Sequence, residues 1–108
     1  MANEINIETL RDYYQRDMVV FSNHAIVRME QRNITQDDIE SCLMSGEIIE
    51  QYPDDYPNPS CLIYGVSNDI IIHVVMGDSG TFATVITAYK PDTNTFLEDL
   101  KTRKRNKK

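Results

Sequence analysis

Residues 60–89 read SCLIYGVSNDIIIHVVMGDSGTFATVITAY. Three runs rich in β-branched and aromatic residues, Ser60–Val66, Ile70–Met76 and Thr81–Tyr89, are divided by Ser67-Asn68-Asp69 and Gly77-Asp78-Ser79-Gly80. Runs of this length, bounded by Gly, Asn, Asp and Ser, read as strands joined by tight turns. Such short connections make neighbours antiparallel, because a parallel pair needs a crossover of a dozen or more residues. The stretch is therefore an antiparallel meander, with Thr81–Tyr89 its last and longest strand.

Working outward, Glu47–Gln51 reads as one more short strand. The segment 52–59 between it and the meander holds three of the four prolines and reads as a loop. Upstream the apolar period changes. Ala25, Ile26 and Met29 share one face of a helix over 23–32, with Ser22 as its N-cap and Asn33 suited to the left-handed residue that ends it. Thr35 and Asp38 form a capping-box pair at the start of a third helix, with Ile39, Cys42 and Leu43 inward and Ser45-Gly46 as its stop. Residues 4–17 read as a first helix, and Met18–Phe21 as a short strand or extended lead-in. Phe96, Leu97 and Leu100 suggest a short docked C-terminal helix. The expectation is an α+β fold with N-terminal helices on a roughly four-stranded antiparallel sheet. One domain over 1–108 is expected, with its core at about 4–100 and a disordered basic tail at 101–108.

The chain carries 11 basic and 17 acidic residues, a net charge of −6. Six of the 11 basic residues fall in the last eight positions, leaving five against 17 acids before them. An acidic body does not bind nucleic acid indiscriminately, whereas the basic end suits phosphate or an acidic partner. No apolar run approaches the roughly 18–20 residues that span a bilayer. The polar N-terminus lacks the features of a secretory signal, so a cytoplasmic location is expected. Cys42 and Cys61 read as reduced core thiols, with a disulfide between them as the alternative. Neither they nor the two histidines have metal-site spacing, and no glycine-rich phosphate loop is present, so no metal or cofactor is expected.

Few residues suit proton transfer. His24 opens the second helix, and Arg28 and Arg32 follow one and two turns later on the same stripe, where a phosphate could be held in a fork. The bland alternative pairs both arginines with nearby acids. His73 lies mid-strand among apolar neighbours, a position more typical of a satisfied half-buried residue than of a catalytic one. Tyr89 and Lys90 end the last strand, and Thr87 shares the face of Tyr89.

Two segments in order, His24-Ala25 … Arg28-Met29-Glu30-Gln31-Arg32-Asn33-Ile34-Thr35 through Gly46-Glu47-Ile48-Ile49, and His73-Val74-Val75 … Val85-Ile86-Thr87-Ala88-Tyr89-Lys90-Pro91-Asp92, resemble the bacterial family called domain of unknown function 4258. The likeness spans about residues 21–92. It departs at Asn33, where glycine is common, and at Lys90, where arginine is common. The resemblance implies a fold similar to the RelE and barnase-like toxin ribonucleases, and a zinc-finger antitoxin as partner. Residue by residue, it points to His24, Arg28, Arg32, Thr87 and Tyr89.

Three readings result. The first is a metal-independent endoribonuclease toxin of a toxin–antitoxin pair, with RNA as substrate. His24 would be base or acid, Arg28 and Arg32 would hold phosphate, Tyr89 or His73 would be the second proton-transfer group, and Thr87 and Lys90 would bind substrate. The product would be a 2′,3′-cyclic phosphate. The second is a non-catalytic protein-interaction module, and the third a structural domain whose polar stripe is only salt-bridged.

Overall fold

The computed structural model describes residues 4–104. The elements run α1 (Ile7–Gln15), β1 (Val19–Phe21), α2 (Asn23–Arg32), α3 (Gln36–Ser45), β2 (Glu47–Tyr52), β3 (Ser60–Ser67), β4 (Ile70–Asp78) and β5 (Ala83–Tyr89). The class is α+β, as expected. The helix starts also follow the sequence signals. Ser22 Oγ accepts from the Ala25 amide, Thr35 and Asp38 form a reciprocal capping box, and Asn33 ends α2 at φ 57°. Each side-chain cap of this kind is worth about 1 kcal/mol.

The sheet corrects the expectation of four antiparallel strands. It has five, in the order β1-β5-β4-β3-β2, and β1 runs parallel to β5. Val19–Phe21 is thus a true strand, recruited to an edge that lies more than 60 residues away in sequence. Ser22 fixes the junction: its amide donates to Val85 O and its hydroxyl to Ile86 O, so α2 leaves β1 directly over β5. The longest strand is the nine-residue β4, since pairing continues through Asp78 opposite Ala83.

The helices cover one face. Cys61 and Ile63 of β3, Ile72, Val74 and Met76 of β4, and Ala83, Val85 and Ala88 of β5 join Ala25, Met29, Ile39, Cys42 and Leu43 in one buried cluster. Both thiols are free and buried, and desolvation pushes each up to about 12, so neither is a nucleophile near neutral pH. Helix α3 lies unusually close to β3. A Cβ on Gly65 would stand 2.6 Å from Cys42 Cα, so only glycine fits there.

The opposite face carries Leu62, Tyr64, His73 and Tyr89. Here the C-terminal part departs from the expected helix. Residues 90–104 form turns that lie across the sheet, with an isolated bridge between Phe96 and Arg103. The reason is local. Asp92 accepts from the Asn94 amide, and Asp99 accepts from the Lys101 and Thr102 amides, so side chains satisfy donors that a helix would have used. Leu100 at φ 58° breaks any remaining helical run. Phe96 is buried at 1% exposure and seals the face.

Residues 101–104, read from sequence as the start of a disordered tail, are tied down. Lys101 pairs with Glu47 at 2.6 Å and Arg103 with Glu50 at 3.0 Å. The remainder of that tail, residues 105–108, lies outside the described residues. Among the described residues no helix is long and apolar enough to cross a membrane.

Candidate functional site

Strand β5 ends at Tyr89, and the chain then turns through Lys90, Pro91 and Asp92 onto the outer face. A cleft of about 610 Å³ opens at this corner, lined by Arg32, Tyr89, Lys90, Pro91, Asp92, Thr95, Phe96 and Arg103. Three cationic residues thus line one cleft in a chain of net charge −6, and the charges of Arg32 and Arg103 reach its phenol, Tyr89.

Each is positioned by its surroundings. Arg32 ends α2 and donates from Nη1 to Ala88 O at 2.8 Å, which bends its guanidinium over the end of β5. Its Nε and Nη2 have no hydrogen-bond partner among the described residues. Arg103 donates to both carboxylate oxygens of Glu50, from Nε at 3.0 and 3.2 Å and from Nη2 at 3.2 Å, and lies 4.9 Å above the Phe96 ring. Tyr52 donates a hydrogen bond to the same carboxylate. Burial and that bond push the Tyr52 phenol up to about 12. The Glu50 hydrogen bonds raise Arg103 further above its already high value.

Beneath Tyr89 lies His73, fully buried at 0% exposure. Its Nε2 is 2.7 Å from Leu100 O and its Nδ1 is 3.2 Å from the Tyr89 hydroxyl. A carbonyl oxygen can only accept, so Nε2 carries the proton, and in the neutral ring Nδ1 is then the acceptor for the Tyr89 O–H. Desolvation holds His73 below the ordinary imidazole value and keeps it neutral. Desolvation likewise holds Tyr89 above the usual phenol value. Tyr64, Tyr89 and Phe96 surround the imidazole at ring-centre distances of 5.9, 5.2 and 4.7 Å.

The structure therefore brings together Arg32, Tyr89 and Lys90 in the cleft, with His73 behind Tyr89. It does not bring His24, Arg28 or Thr87 there. His24 is exposed in the first turn of α2, some 12 Å of helix rise from Arg32 at about 1.5 Å per residue. Arg28 donates to Gln31 Oε1 at 3.0 Å on the outside of α2, with no acidic partner among the described residues. Thr87 lies farther back on β5, paired with Val75, and does not line the cleft. Among the described residues no three His, Cys, Asp or Glu side chains gather as a metal set.

Sequence reasoning missed the part played by Glu50, Phe96 and Arg103. The signal for the last two was the apolar Phe96, Leu97 and Leu100 just before the basic run, which places a docked segment ahead of Arg103.

One protein-family model, described as "Domain of unknown function (DUF4258)", matches residues 21–90. No curated protein matches, and no solved structure matches.

Proposed function

The chain belongs to the DUF4258 family, and on that premise we propose that it is a metal-independent endoribonuclease, the toxin of a toxin–antitoxin pair restrained by a zinc-finger antitoxin. The observation that supports this reading is the cleft itself, where Arg32 and Lys90 flank a tyrosine hydrogen-bonded to a buried neutral histidine. Cleaving RNA without a metal needs a proton acceptor for the 2′-hydroxyl, a proton donor for the departing oxygen and cations for the charge that develops on phosphate. Tyr89 Oη takes the proton of the 2′-hydroxyl while its own proton passes to His73 Nδ1. The 2′-oxygen bonds to phosphorus and the P–O5′ bond breaks, giving a 2′,3′-cyclic phosphate. The Lys90 ammonium protonates the leaving 5′-oxygen. Arg32 uses its unengaged Nε and Nη2 on the phosphate oxygens. The proton left on His73 sits in a site that disfavours charge, so it returns readily through Tyr89 to water.

A second reading, a non-catalytic interaction module, is favoured by a different observation. Neither histidine faces the cleft directly, and an apolar groove lined by Val20, Ile26, Met29 and Ile34 opens beside β1 at the edge of the sheet.

The deciding test incubates total RNA with the wild-type protein, Tyr89→Phe and His24→Ala in excess chelator. The expected result is cleavage by the wild type, a loss of about 100-fold or more in Tyr89→Phe, and wild-type activity in His24→Ala. Inactive His24→Ala beside active Tyr89→Phe would move the chemistry to α2. No cleavage by the wild type would leave the interaction module standing.

A further inference from the structure

The family match ends at residue 90, yet the cleft does not. Its far wall is Thr95, Phe96 and Arg103, all contributed by the segment that crosses the outer face of the sheet. Arg103 is held there more firmly than an exposed terminal arginine needs to be. Its Nε and Nη2 are engaged by Glu50, and its Cζ stands 4.9 Å from the centre of the Phe96 ring. Three hydrogen bonds and a cation–π contact hold a planar guanidinium in place. Glu50 leaves the third nitrogen, Nη1, unengaged, the Tyr52 and Tyr89 hydroxyls stand beside the guanidinium, and the side chain keeps 48% of its exposure. A cation fixed by its neighbours, with one donor nitrogen left over on the wall of a cleft, is a preset anion contact.

The placement of Glu50 is itself specific. A strand alternates faces, so Glu47 and Glu50 should point to opposite sides of the sheet. The register of β2 against β3 shifts between Ile48 and Glu50, and both acids end up opposite outer-face residues, Glu47 with Tyr64 and Glu50 with Leu62. The bulge at Ile49 therefore puts one acid under Lys101 and the other under Arg103.

We infer that Arg103 is a phosphate-binding residue of this cleft for single-stranded RNA, supplied from outside the family-matched region, and that Glu50 is its positioning residue. The inference rests on the ribonuclease reading for its ligand. It adds a third cation to Arg32 and Lys90, and it makes an acid favour the binding of a polyanion.

The test is equilibrium binding of a fluorescein-labelled single-stranded RNA with 2′-O-methyl groups throughout, which cannot be cleaved through the 2′-oxygen. Affinity is measured over a salt series for the wild type, Arg103→Gln, Lys104→Gln and Glu50→Gln, each first checked by its thermal melt. Loss of one phosphate contact lowers the slope of log affinity against log salt by about 1. Arg103→Gln is expected to show that drop with affinity reduced several-fold, and Lys104→Gln, one residue on but outside the cleft, is expected to show much less. Glu50→Gln is expected to weaken binding although it removes a negative charge. Equal losses in Arg103→Gln and Lys104→Gln would reduce the effect to net charge and overturn the site. Tighter binding by Glu50→Gln would overturn the positioning role. An unchanged Arg103→Gln beside a wild type that binds and cleaves would sink this inference alone, whereas a wild type that neither binds nor cleaves RNA would sink the ribonuclease reading with it.

Discussion

His73 shows how the burial of a side chain can be legible in sequence while its partners are not. Its position on an apolar strand announced burial, and it is buried. What the strand pattern does not carry is the carbonyl of Leu100, brought from 27 residues downstream, which fixes the tautomer and with it the direction of the Tyr89 hydrogen bond. His24 is the converse case, conspicuous in sequence through its helical spacing to Arg28 and Arg32 yet exposed and apart from the cleft. The burial of His73 has a measurable consequence. Its folded-state pKa is depressed by desolvation, so below the unfolded value of about 6.5 the unfolded chain binds more protons than the folded one. The stabilisation is complete above that pH and declines as pH falls below it. Urea midpoints should therefore drop between pH 7 and pH 5 in the wild type. His73→Gln, which keeps a donor and an acceptor but does not titrate, should be less stable by about 1–2 kcal/mol at pH 7.5 and should lose the decline assigned to this group. An undiminished decline in that variant would remove His73 as its source.

At the scale of elements, the parts with local signals were readable and those with distant partners were not. Caps and turns are written within four residues of one another, and α2, α3 and the meander followed from them. Strand β1 offered only three residues, and its partner β5 lies across the whole of the intervening chain, so local patterning could not tell a strand from a lead-in. The β2 bulge was hidden for a related reason: a period of two, read off the sequence, puts Glu47 and Glu50 on opposite faces. The contact of α3 with β3 depends on glycine at one point. Gly65→Ala drives a methyl group against the backbone of Cys42 and must push the helix away from the sheet. A loss of about 2–3 kcal/mol is expected, read as a lower urea midpoint. An unchanged midpoint would mean that α3 shifts without cost. The C-terminal segment can be probed in the same way. Phe96→Ala removes its one fully buried anchor. The amides of Leu97 and Lys104, bonded to Thr102 O and Thr95 O, should lose hydrogen-exchange protection while those of β4 keep theirs. Equal loss in β4 would show that the segment and the sheet open together.

For the whole molecule, the uneven charge becomes intelligible once the segment beyond Tyr89 is in place. An acidic body was a poor prospect for binding RNA when read as an average, and an average hides where cations meet. Arg32 is read from α2, Lys90 from the end of β5 and Arg103 from the chain's last described residues, and only the folded arrangement places them in one cleft. The parallel pairing of β1 with β5 has a further consequence, for the order in which the molecule can be made. Synthesis proceeds from the N-terminus, and β1 leaves the ribosome before β5 and has no neighbour to pair with until β5 has followed it. The wall that carries Arg103 comes later still. The cleft thus joins a helix, α2, to residues that follow it by about 70 positions, and a nascent chain carries no finished site until Arg103 has been made.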